Sequence, residues 1–207
     1  MKQLSLLLFV LFLSACSKEE TYGPLKLKDG QEVELLVDHR FYAVDETLIQ
    51  LPNKNPAEFS LNGFDKRKPG YSYLVKARFH LEKNPLQDAS DRWFDFVKVV
   101  SEQKYNGQES FNINLIQSFV PGGPTIYLTK EGEKFYYLKG QLQLNYANQA
   151  QKGQLEEIWK HAQEIRESET KQQNIMIPKW KSILATVIHD PSNFGNAYLV
   201  QSIKLTP

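Results

Sequence analysis

The 207-residue chain contains a single cysteine, Cys16. One thiol cannot close a disulfide within the chain, and it cannot supply the set of thiolates that holds a structural zinc ion. An excess of either charge is also missing, since 25 Lys and Arg stand against 24 Asp and Glu. Nucleic-acid binding rests mainly on neutralising phosphates with surplus Lys and Arg, so that class of partner is not expected. A mean hydropathy of -0.47 leaves no room for several membrane spans. Familiar reactive motifs are absent too: Gly-x-Ser-x-Gly, His-Glu-x-x-His and the glycine-rich phosphate loops do not occur. What is present is apolar and aromatic content, 41% and 12% respectively, which is too much for a disordered chain.

The longest apolar run lies at the start. Lys2 precedes Leu4 to Leu13, interrupted only by Ser5, and Ser14, Ala15 and Cys16 follow. About ten apolar residues are too few for a helix across a bilayer core, which takes roughly twenty, so residues 1–15 read as a cleaved export signal. Leu13-Ser14-Ala15-Cys16 resembles the bacterial lipobox. That resemblance implies a diacylglycerol on the Cys16 thiol and cleavage just before it, with acyl chains such as palmitate anchoring the mature chain. Each buried methylene contributes about 0.8 kcal/mol, so two or three chains on one residue hold firmly. The implied partner is therefore a membrane, reached through lipid on Cys16.

Ser17 follows the cysteine where an Asp would suggest inner-membrane retention, so an outer-membrane address is expected, on the periplasmic face or the cell surface. Lys18-Glu19-Glu20 resembles the short signal that sends lipoproteins of Bacteroidota-type bacteria to the cell surface. The same residues also suit a solvated tether over 16–24, since they cannot pack into a core.

Downstream, Glu32 to Val37 and Phe41 to Leu51 read as strands separated by Asp38-His39-Arg40. Pro52 to Pro56 reads as a loop. Tyr71 to Leu81 alternates in the period of a strand with one face in a core. Trp93 to Ser101 is apolar on both faces, as in a deeply buried strand. Tyr105 to Gln108 marks a boundary between two lobes, 25–105 and 108–207. In the second lobe, strands are expected over Phe111 to Val120, Thr125 to Thr129 and Phe135 to Tyr146. Leu155, Ile158, Trp159, Ala162 and Ile165 then recur at helical spacing, predicting an amphipathic helix over 154–172. Strands from Trp180 to His189 and Ala197 to Leu205 follow, joined by a turn at Asp190-Pro191-Ser192-Asn193. The expected class is α+β, mainly β: two small packed β-rich lobes, the second resembling an OB barrel, with three strands, one helix and two strands.

Between Phe59 and Ser101 stand Asn62-Gly63-Phe64, Pro69-Gly70-Tyr71-Ser72-Tyr73 and Asn84-Pro85-Leu86-Gln87-Asp88-Ala89-Ser90. Together they resemble the bacterial domain of unknown function numbered 4377. The resemblance brings no established activity. Its Pro69-Gly70 reads as a turn launching a strand, and Gly63 as a position for a conformation closed to other residues.

Candidate chemistry is sparse. Asp88, Asp91 and Asp95 could offer carboxylates for acid-base work or oxygen ligands for calcium, or form a solvated loop. Glu157 and His161 could share a helical face able to hold a cation, or form a surface ion-pair network. Tyr71, Tyr73, Tyr136 and Tyr137 could supply a contact surface for a protein, peptide or glycan, or pack across strands. No metal site and no cofactor are expected from these patterns. The leading expectation is a non-catalytic lipid-anchored envelope lipoprotein that binds a protein or envelope polymer. The alternatives are an envelope hydrolase using carboxylates or a metal, and a structural subunit of an envelope assembly.

Overall fold

The structure, a computed structural model, describes residues 20–87, 89–118, 123–138, 140–170 and 176–207. The expected export signal 1–15, the expected lipidation residue Cys16 and the candidate Asp88 lie outside the described residues, as do the last residues expected for the helix.

The first sheet has six strands: β1 (Glu32–Val37), β2 (Leu48–Gln50), β3 (Asn55–Pro56), β4 (Leu61–Asn62), β5 (Tyr71–Leu81) and β6 (Arg92–Lys104). They lie in the order β3-β2-β1-β5-β6-β4, antiparallel except for β4 beside β6. Alternation drives this sheet. Val33, Leu35 and Val37 of β1 and Tyr73, Val75, Ala77 and Phe79 of β5 point into one core, closed by Leu27 and Phe94. The folded part reaches back into the expected tether, since Tyr22 and Leu27 exchange backbone hydrogen bonds at 2.9 and 2.8 Å.

The second lobe contributes β7 (Phe111–Asn114), the hairpin β8 (Ile116–Ser118) and β9 (Pro124–Ile126), then β10 (Leu128–Glu131), β11 (Lys134–Tyr137) and β12 (Leu142–Tyr146). Helix α1 (Gln149–Thr170) and strands β13 (Ser182–His189) and β14 (Ala197–Thr206) complete it. Its sheet runs β10-β11-β12-β14-β13-β7. The three strand runs expected before the helix appear as six strands, β7 and β8, β9 and β10, and β11 and β12; α1 and β13–β14 follow, with β12 and β14 as parallel neighbours. Leu155, Ile158, Ala162 and Ile165 of α1 are buried against this sheet's core. The helix starts earlier than its apolar stripe, because the Asn148 side chain caps it by accepting from Ala150 N at 2.8 Å. Over the described residues the protein is thus mainly β with one helix, and each sheet has its own core.

Three expectations need correction. Residues 41–47 are not strand: Tyr42 adopts φ +64°, and the Asp38 carboxylate accepts from Arg40 N and Thr47 Oγ1, winding the chain into a loop. The run from Phe111 breaks at Leu115 and the run from Phe135 breaks after Tyr137, each giving two strands. β6 is buried only near Phe94, and Val97, Val99 and Val100 are exposed. Its register against β5 shifts near Val97 and again near Val100, and such bulges twist an open edge away from regular pairing.

Candidate functional site

The two lobes meet at the β1–β2 loop. From that loop Ala43 forms a β-bridge with Ile113 of β7, and Val44 N donates to Asn112 O at 2.8 Å. Tyr198 of β14 donates its hydroxyl to Phe41 O at 2.8 Å. The loop therefore covers the β7 edge, which would otherwise present unpaired backbone groups.

Two imidazoles sit in this seam. His39 Nδ1 and His189 Nε2 are 2.9 Å apart and share a hydrogen bond between the lobes. His39 stacks flat on Tyr105, with ring centroids 3.6 Å apart, and its backbone oxygen accepts from Gly70 N. His189 is only 6% exposed and has the rings of Tyr105, Phe111, Phe194 and Tyr198 around it. Its Nδ1 is buried and makes no hydrogen bond. Burial, and then the neighbouring His39, push its pKa down to about 4. Burial also lowers His39, against the pull of Asp38.

Asp38 holds the loop's charge. Burial pushes its carboxyl up, but hydrogen bonds from the Arg40 guanidinium and amide prevail and hold it at about 2. Arg67 extends the network, donating to Asp38 O and Glu46 Oε1, with its guanidinium 4.7 Å from the centroid of the Phe41 ring. Beside it opens a cleft of about 710 Å³, a volume typical of ligand-binding hollows. Phe41, Tyr42, Phe59 and Phe64 give it aromatic walls, Glu58 and Asp65 line it with carboxylates, and Gln141 reaches it from the second lobe. Tyr42 donates its hydroxyl to Gln141 Oε1 at 3.1 Å.

The residues nominated from sequence fall elsewhere. Tyr73 and Tyr137 are core residues, 3% and 0% exposed, which corrects their nomination as contact surface. The Tyr137 hydroxyl accepts from Gln117 Nε2 and donates to Asn114 O, so its polar end is satisfied inside. Tyr71 is half-buried, its ring meeting Phe194, and Tyr136 is half-buried on β11. Asp91 pairs with Arg92, while Asp95 accepts from Trp93 Nε1 and faces His80. Glu157 pairs with Lys179. His161 pairs with Glu164 as the ion-pair reading expects, but it is less exposed than that reading implies: Nε2 accepts from Lys179 N, Nδ1 donates to Glu164, and the ring meets Trp180 edge to face. Asp91 and Asp95 belong to the first sheet's lobe, Glu157 and His161 to α1, and none of them lines the cleft. Among the described residues no group of three or more His, Cys, Asp or Glu could hold a metal ion. Among them, too, no helix is long and apolar enough to cross a membrane.

Asp190 keeps its turn role. Its carboxylate accepts from Asn145 Nδ2, Ser192 N and Ser192 Oγ, fixing the bend that follows β13. The seam itself had no signal in the sequence, because its two histidines lie 150 residues apart and each adjoins turn-forming residues. No family model, curated protein or solved structure matches the chain.

Proposed function

We propose that the chain is a non-catalytic bacterial envelope lipoprotein, anchored in the outer membrane by acyl chains on Cys16, which binds a protein or envelope polymer in the cleft beside the seam. The anchor rests on Leu13-Ser14-Ala15-Cys16, placed directly after a short apolar run with a single preceding charge. The binding role is carried by one observation, the 710 Å³ cleft walled by aromatic side chains. Aromatic walls supply contact area at little rotamer cost. A catalytic role has less support, since Asp91, Asp95, Glu157 and His161 each engage their own partners away from the cleft. In this reading the region from Phe59 to Ser101 is the part that resembles the domain of unknown function, and it frames the cleft without adding chemistry.

Mass spectrometry of the protein from native membranes tests the anchor: the expected species begins at Cys16 and carries acyl chains, and a Cys16→Ser variant leaves the membrane fraction or stays uncleaved. Cys16 unmodified, with its leader still attached, overturns it. For the cleft, a photo-crosslinking residue at position 65 is expected to capture an envelope component in intact cells that the same residue at position 164 does not. Equal capture at both positions overturns the assignment of binding to the cleft.

A further inference from the structure

The His39–His189 contact is a hydrogen bond of a kind that protonation can abolish. One of the two facing nitrogens must remain bare to accept. If His39 Nε2 carries its hydrogen toward Asp38 Oδ1, 3.8 Å away, then Nδ1 is bare and His189 Nε2–H donates. A first added proton can be taken up on His39 Nδ1 when His189 shifts its own hydrogen from Nε2 to Nδ1, so that His39 donates to a bare His189 Nε2. A second places N–H groups on both facing nitrogens and a cation inside the ring cage, where no acceptor reaches His189 Nδ1.

We propose that the His39–His189 pair is an acid-released latch between the two lobes: fully protonated, it frees the β1–β2 loop from the second lobe while each sheet stays folded. The inference stands on the seam's geometry and requires neither the anchor nor a ligand in the cleft.

The charged and titratable surroundings make the response specific. On the loop itself, Asp38 faces His39 and favours its cation, while Arg40 opposes it. Arg67, from the segment before β5, opposes it as well, and Glu109, ahead of β7, favours it. Tyr105 at the end of β6 and Tyr198 on β14 present neutral rings. Asp190, next along the chain from His189, has its carboxylate turned to Asn145 and Ser192 and so does not compensate a charge on the imidazole. Among the described residues, Asp38 and Glu109 favour a cation on His39, and Asp38 also favours one on His189, but no acceptor reaches the buried His189 Nδ1. The loop that would be freed also carries Phe41, Tyr42 and Glu46, which wall the cleft.

The test is amide hydrogen exchange on the full chain, read as protection factors between pH 6 and pH 3.5. The interlobe amide of Val44 is expected to lose protection at least tenfold, while amides of the β1–β5 ladder keep theirs. The imidazole nitrogen shifts of His189, followed by NMR in the same samples, are expected to move over the same pH range. His189→Gln, which cannot take up a proton there, is expected to show no step at Val44. Three results would overturn the latch: parallel loss at Val44 and in the ladder, a Val44 step that persists in His189→Gln, or a step without titration of His189.

Discussion

His189 Nε2 lies 2.9 Å from His39 Nδ1, joining the end of β13 to the β1–β2 loop across 150 residues of chain. The bond ties a buried ring in one lobe to a stacked ring in the other, and both pKa values are lowered by burial first. Stability and pH are therefore linked through this seam.

The folded protein holds His189 at about 4, against 6.5 in the unfolded chain. Between those values the unfolded state binds more protons, so stability falls as pH drops from 6.5 through 4. The full loss is about 3 kcal/mol. Asp38, held at about 2, adds a further loss only below its ordinary value of 3.8. Urea midpoints across this range are expected to fall for the wild type. For His189→Gln the fall between pH 6.5 and 4.5 should be shallower, leaving the part that buried His39 contributes, and an equal slope would refute the assignment.

Gly70 adopts φ +83° beneath Phe194, and a Cβ there would lie 2.5 Å from the ring's Cζ. Left-handed strain costs about 1–2 kcal/mol and the overlap about 1–3 more, so Gly70→Ala should destabilise by roughly 2–4 kcal/mol. Adding Phe194→Ala should recover the steric part. A double-mutant cycle in chemical denaturation measures that coupling, and strict additivity would count against it.

Tyr137 and Tyr136 are neighbours with opposite roles. Tyr137→Phe leaves the Gln117 amide and Asn114 O without their partner and should cost about 1–2 kcal/mol. Tyr136→Phe should stay within about 0.5 kcal/mol, as changes at sites away from a buried network do. Thermal unfolding of the two variants side by side decides whether Tyr137 is structural.

His161 fastens the segment before β13 to α1 through Lys179 N and Trp180. Replacing it with Ala is expected to cost about 1 kcal/mol and to expose the Lys179 amide to exchange. Unchanged exchange at Lys179 would show that the bond contributes nothing.

Local order was legible wherever a periodic pattern met a single core. β1 and β5 occupy the spans their alternation predicts, and the buried face of α1 is its apolar stripe. The pattern misled where side chains intervened. Residues 41–47 look like strand, yet Asp38 captures Arg40 and Thr47 and bends the chain. The valines of β6 look like core, yet its far half has no layer packed over it and they remain exposed. Tyr73 and Tyr137 point the way alternation says, but only the packed sheets determine that their faces are inner ones.

The sequence by itself determined the mainly β composition and the amphipathic helix α1, because each depends on residues close together along the chain. The tertiary structure alone decided the seam: which loop covers the β7 edge, that His39 meets His189, and that Phe41, Tyr42, Phe59 and Phe64 wall one cleft. Those relationships arise where two separately formed cores dock, and no short-range pattern encodes which surfaces will face each other.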